Sequence, residues 1–149
     1  CMLTYAQSAH KVRHTFARFS PHLPAAADLW LDVFGRKFML DEHTALVVAR
    51  NEHECEVMAL LKHTGNIFLR IADHSGPMCI LRGDASQTNI ELAAGICLHY
   101  SKARGSSTGK AIWGESPLSM ERRVDAPLLS ADMIRGFLLD AQDASGGKD

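Results

Sequence analysis

The chain predicts an α+β fold: a small mixed or antiparallel sheet packed by about three helices, with an N-terminal helical extension. Three observations predict it. Apolar residues recur at helical spacing in several segments. Between those segments lie short apolar runs bounded by turn residues, the mark of strands. The runs come in neighbouring pairs joined by polar or Gly-Pro turns, as antiparallel hairpins require. The 149 residues are 46% hydrophobic and 22% charged, which suits one domain with a real core.

The elements follow in order. Tyr5, Ala9, Val12, Phe16 and Phe19 are spaced by four, three, four and three, one face of a helix. His10, Lys11, Arg13, His14 and Arg18 fall largely off that stripe and form a basic flank. Pro21 and Pro24 end the helix, and residues 25–34 read as a second, short one. Residues 37–40 and 45–49 read as a hairpin around Asp41-Glu42-His43. Asn51 is a helix N-cap, with Glu54 three residues on. The helix over 52–63 buries Val57, Met58 and Leu61, and Gly65 stops it. Residues 67–72 and 78–81 are two strands joined at Gly76-Pro77. Ser86 or Thr88 caps the next helix, whose inner face carries Ile90, Ala93, Ala94, Cys97 and Leu98. Residues 105–109 form a flexible loop, and 110–113 with 120–124 a last hairpin. Ser130 caps a final helix running to 141, with Ile134, Phe137 and Leu138 inward.

Composition bounds the function. The net charge is −1, so no global basic field announces a nucleic-acid binder. The first forty residues hold five bases (Lys11, Arg13, Arg18, Arg36, Lys37) against two acids (Asp28, Asp32). An anion-binding surface is therefore local, and this end is the first place to look. The four cysteines, at 1, 55, 79 and 97, lack metal-type spacing. Three lie in apolar patterns, which points to a reducing, cytoplasmic compartment. No apolar run reaches the ~18 residues of a membrane span, and no signal peptide opens the chain. A start at Cys1 suggests a piece of a longer protein. The expected organisation is a helical connector over 1–34, a domain over 35–141 and a disordered tail over 142–149.

Ala49-Arg50-Asn51 closes a strand and opens a helix. Gly76-Pro77 joins two strands, and a helix containing Ala93-Ala94 ends in Tyr100-Ser101-Lys102. This order of parts resembles the RNA-binding domain of the NFACT family, well over residues 35–104 and loosely over 105–140. The best-known members carry Asp-Leu-Trp-Phe-His where this chain has Asn66-Ile67-Phe68-Leu69-Arg70, and Ser-His where it has Gly76-Pro77-Met78. With Leu81-Arg82-Gly83, the chain looks more like the form appended to tRNA thiouridylase-like proteins. Cys1-Met2-Leu3-Thr4 resembles the junction after their ATP-dependent sulfur-insertion domain. The resemblance implies an RNA-binding module, tRNA foremost, at the C-terminal end of a thiolation protein. ATP would be that parent's cofactor. No cofactor and no catalysis are expected of this chain.

The candidate RNA-binding residues are Arg50, Asn51, Phe68, Arg70, Arg82, Tyr100, Lys102 and Arg104. Arg50 and Asn51 stand at a helix N-terminus, whose free N–H groups and dipole suit a phosphate. The alternative is that Asn51 merely caps and Arg50 pairs with an acid such as Glu54. Phe68 and Arg70 alternate onto one sheet face, and Arg82 lies on the paired strand. An open face there could hold a phosphate and stack a base, and the alternative is a solvated outer face. Lys102 and Arg104 follow a helix C-terminus, where positive charge also satisfies the dipole. Tyr100 offers a second stacking ring. Asp73-His74 is an adjacent pair with no nucleophile, and His10/His14 lacks a third ligand, so neither carries catalysis or a metal. Two other functions compete: a protein-interaction or homodimerisation module, and a fragment lending Cys1 to sulfur transfer.

Overall fold

Local signals place most of the elements. The computed structural model describes residues 6–61, 65–104 and 109–139. Tyr5, Cys1, most of the 105–109 loop and the tail lie outside these. The order is α1 (Ala6–Phe19), α2 (Ala26–Trp30), β1 (Arg36–Asp41), β2 (Thr44–Val48), α3 (Glu52–Ala59), β3 (Asn66–Ile71), β4 (Cys79–Arg82), α4 (Gln87–His99), β5 (Lys110–Gly114), β6 (Arg122–Asp125), α5 (Ala131–Phe137) and β7 (Leu138–Leu139). Asn51, Ser86 and Ser130 cap their helices, each side chain accepting the backbone N–H three residues on. Among the described residues no helix is long and apolar enough to cross a membrane.

The α+β expectation holds. The strands form one seven-stranded sheet in the order β6-β5-β3-β4-β2-β1-β7. Every pairing is antiparallel. Helices cover both faces. On one face α4 crosses the central strands, and its Ala93, Ala94, Ile96 and Cys97 pack on Phe38, Leu46, Leu69 and Leu81. On the other face Leu31, Met58 and the partly buried Phe34 and Cys55 close over Val47, Phe68 and Ile80.

The α3 helix ends at Ala59 with Leu60 as its C-cap, short of the expected 63, and two further expectations need correction. The last helix does not run to 141: it ends at Phe137, and Leu138 and Leu139 turn extended to pair with Phe38 and Lys37. The β1 edge would otherwise present unpaired N–H and C=O groups. The second correction concerns α1. Its basic flank is not all exposed, and its apolar stripe is only half covered, with Phe16 42% exposed. Ser8, Lys11 and Thr15 are buried instead. The surface beneath them is polar. Asp32 and the Gly35 carbonyl need donors there, and Thr15 and Lys11 supply them at 2.7 and 2.9 Å. Burial first, then the charge of Arg50, lowers Lys11 to about 8. Gly35 itself takes φ +74°, and a Cβ there would sit 2.7 Å from both Val47 and the Val48 carbonyl. The basic excess of the N-terminal end is therefore partly internal. Lys11 and Lys37 are buried, and Arg18 leans over Phe19 and reaches Met39.

Candidate functional site

Three segments far apart in sequence meet at one end of the sheet. They are the β2–α3 junction, the β3–β4 loop and the turn after α4. A cleft of ≈ 740 Å³ opens among them, lined by Arg36, Arg50, Asn51, Gly76, Tyr100 and Lys102, with Cys55 and Pro77 in its wall. The joint between two segments is made by backbone. The Lys102 N–H donates to the Ser75 carbonyl at 2.8 Å. Ser101 turns the chain there, donating to the Leu98 carbonyl and accepting from the Ala103 N–H. Gly76 packs so close that a Cβ on it would lie 2.7 Å from the Ser101 Cβ. Tyr100-Ser101-Lys102 and Gly76-Pro77 are thus two halves of one wall, and the Lys102 side chain is left exposed at the rim.

Asn51 caps α3 through its bond from the Glu54 N–H, at 2.9 Å. Glu54 reaches back to the Arg50 N–H at 2.9 Å and takes the Arg50 Nε and Nη2 at 3.1 and 2.8 Å. The capping alternative read from the sequence is therefore what the structure holds. Arg50 is not an unengaged phosphate ligand, although its side chain remains 34% exposed. Burial pushes the Glu54 carboxyl up. Hydrogen bonds from the Arg50 side chain and backbone and from the Gly35 backbone, with the charge of Arg50, outweigh it and bring the pKa from 4.5 down to about 2. A carboxylate with a lowered folded pKa stabilises the fold above its unfolded value and loses that contribution as pH falls toward the folded one. We expect the stability gap between wild type and Glu54→Gln to be roughly 2 kcal/mol near neutrality, allowing for the partly solvated arginine. The gap should close between about pH 5 and pH 2. Urea unfolding across that range checks it, and a gap independent of pH would refute the pairing.

Of the candidates from the sequence, Arg50, Asn51, Tyr100 and Lys102 come together at the cleft. Arg104 is exposed two residues beyond Lys102, its N–H on the Ser101 carbonyl. Phe68 does not join them. Its face is covered by the packing of Leu31 and Met58, and the ring is 0% exposed, so it cannot stack a base. Arg70 does share the Phe68 face, but lies beyond that cover and is exposed. Arg82 is turned into an ion pair with Asp28 and a hydrogen bond to Asn66. Asp73 and His74 stay exposed at the turn, with Asp73 at φ 63°.

One further cation lines the cleft that is not among the candidates from the sequence: Arg36, at the start of β1. Its guanidinium carbon lies 5.0 Å over the Tyr100 ring. The same ring meets Phe38 at 6.0 Å and His99 edge-on at 4.9 Å. Burial, and then the charge of Arg104, lower His99 from its ordinary value. The sequence hinted at Arg36 only through the basic count of the N-terminal end.

The arrangement offers cations and backbone donors at a concave rim, with Glu52 as an acid in the lining. Comparison with known proteins is consistent with that chemistry. No curated protein sequence matches the chain. Among solved structures it is similar to the C-terminal part of the fibronectin/fibrinogen-binding protein from Streptococcus suis, with a TM-score of 0.61 at 17% identity. The alignment covers 70% of this chain and 49% of that one, so the chain spans about half the length of that structure, and the likeness is one of fold. Residues 35–137, from just before β1 to the end of α5, match the family described as the NFACT protein RNA binding domain. That match takes in the whole cleft and most of the sheet, and the chain belongs to the NFACT RNA-binding-domain family.

Proposed function

We propose that this chain is a binding module for structured RNA, with tRNA as the RNA, and that RNA phosphates meet the rim of the cleft. One observation carries the reading. The three segments that mark the family, at 49–51, 76–77 and 100–102, are brought by the fold to a single cleft edged by Arg36, Arg50 and Lys102. Lys102 and Arg104 are the exposed phosphate contacts, with Asn51 and Arg50 behind them and Arg70 on the flank. Arg82 and Phe68 serve the core. The Gly76-Pro77 and Leu81-Arg82-Gly83 segments support a parent protein of the tRNA-thiolation class, working in the cytoplasm, whose ATP chemistry lies outside these residues. The near-neutral total charge fits a local contact of a few phosphates instead of a broad basic face.

Phosphate contacts give affinity that falls with salt, by about 0.7–0.9 in log–log slope per contact. A Lys102→Ala/Arg104→Ala protein should therefore bind bulk tRNA about tenfold or more weakly at low salt, with a slope smaller by about 2. The loss should be the same for all RNA sequences, because phosphates carry none. Filter retention at several salt concentrations measures both quantities. A folded double variant with unchanged affinity and slope would remove the rim from the interface.

A further inference from the structure

The cleft is larger than a phosphate fills. Its walls are two loops and a helix end, and its volume falls within the roughly 300–1,000 Å³ of pockets that enclose one small ligand. A continuous duplex keeps its base faces stacked and offers a surface only its backbone and groove edges. It has nothing to insert into such a space. An unpaired nucleotide does.

The lining contains a planar platform for a base, and it is not the ring that the sequence suggests. Tyr100 is already in contact with Arg36, Phe38 and His99. Arg36 lies over Tyr100 and lines the cleft beside it. Among the described residues its guanidinium makes no ion pair and no hydrogen bond. Its fixed charge is thus held against an aromatic ring and not spent on a carboxylate, unlike Arg50 and Arg82. A guanidinium plane stacks on nucleobases and attracts the adjoining phosphate. Ala49, Cys55 and Pro77 give the space an apolar wall, and Lys102 stands at the rim.

We propose that the cleft receives a single unpaired nucleotide of the bound RNA, its base laid on the Arg36 guanidinium. This rests on the RNA reading above and sharpens it: the module selects RNA with a bulge, loop or free end over uninterrupted duplex. The Asn51 side-chain NH2 and the Gly76 backbone are the polar edges left for the base, and Lys102 takes its phosphate.

The test compares two RNAs, a blunt duplex and the same duplex carrying unpaired nucleotides, against wild type and Arg36→Lys. Lysine keeps the charge and removes the plane. Wild type should prefer the RNA with unpaired nucleotides by about fivefold or more, the effect of one stacked base. Arg36→Lys should lose that preference, its affinity for the RNA with unpaired nucleotides falling to its affinity for the blunt duplex, with near-ultraviolet circular dichroism confirming an intact fold. Equal binding of the two RNAs by wild type overturns the inference, and so does a preference that survives Arg36→Lys. In both cases the RNA reading stands. Failure of wild type to bind either RNA at about 50 mM salt, where phosphate contacts are strong, overturns the RNA reading and the inference together.

Discussion

Replacing Asp32 with Ala is expected to cost about 3–5 kcal/mol of folding stability. Asp32 is 0% exposed and Lys37 1%, and Lys37 Nζ lies 2.5 Å from Asp32 Oδ1. Thr15 closes the set: its hydroxyl donates to Asp32 Oδ2 at 2.7 Å and accepts from Lys37 Nζ at 2.9 Å. One helix, one loop and one strand are tied by three side chains that water does not reach. Removing the carboxylate leaves an ammonium buried without its counter-charge, the costly half of a broken pair. Burial already lowers the Lys37 pKa, with Asp32 opposing it. Without Asp32 that pKa falls further. A lysine whose folded pKa lies below its unfolded one penalises the fold at low pH, and the penalty lifts as pH rises through the folded value. The cost of Asp32→Ala should therefore shrink on going to alkaline pH. An Asp32→Leu/Lys37→Met protein should recover much of the loss, since an apolar pair of similar volume needs no counter-charge. Urea unfolding at neutral and alkaline pH measures all of this. A loss below about 1 kcal/mol would mean that the pair is hydrated and behaves as a surface bridge.

Arg82→Ala is expected to cost about 2–4 kcal/mol, somewhat less because the arginine is partly exposed. Its Nε lies 2.5 Å from Asp28 Oδ1 and its Nη1 3.1 Å from the Asn66 side-chain oxygen. These bonds join β4 to α2 and β3, and they satisfy an aspartate that is 6% exposed. The backbone N–H of Ala25 then remains as a partner of Asp28. RNA affinity of the folded variant should stay within about twofold, because this arginine supports the face away from α4 and does not line the cleft. Lys102→Ala/Arg104→Ala should show the opposite pattern, weak binding with nearly unchanged stability. A stable Arg82→Ala protein that binds RNA poorly would return Arg82 to the interface.

Much of the fold was legible because the signals that set it are local. The Asp41–Thr44 turn, the Gly76-Pro77 loop and the caps at Asn51, Ser86 and Ser130 each act within a few residues. The hairpins and helix starts fell where those signals put them. What was not legible depends on partners distant in sequence. Arg82 pairs across 54 positions and Lys37 joins Thr15 across 22. Nothing beside either residue announces that its charge will be buried. The burial of Lys11 out of the basic flank of α1 was hidden for the same reason: the floor beneath it holds Asp32 and the Gly35 carbonyl. Phe68 was assigned to the correct face of β3, but the layer that closes over it comes from Leu31 and Met58. Of the cleft, the three family segments could be read in advance. Arg36 could not, since its significance comes from Tyr100, 64 positions on (100 − 36).

The wall of the cleft is fastened by backbone and by the absence of a side chain at Gly76. The bond from the Lys102 amide to the Ser75 carbonyl, and the bare Gly76 against Ser101, set the distance between the two loops. The side chains at 75 and 102 take no part in that joint. Architecture and chemical identity are thereby uncoupled at this spot. Exchanging the side chains at 75 and 102 leaves that bond in place, so the chemistry at the rim can change while the spacing of the wall is kept.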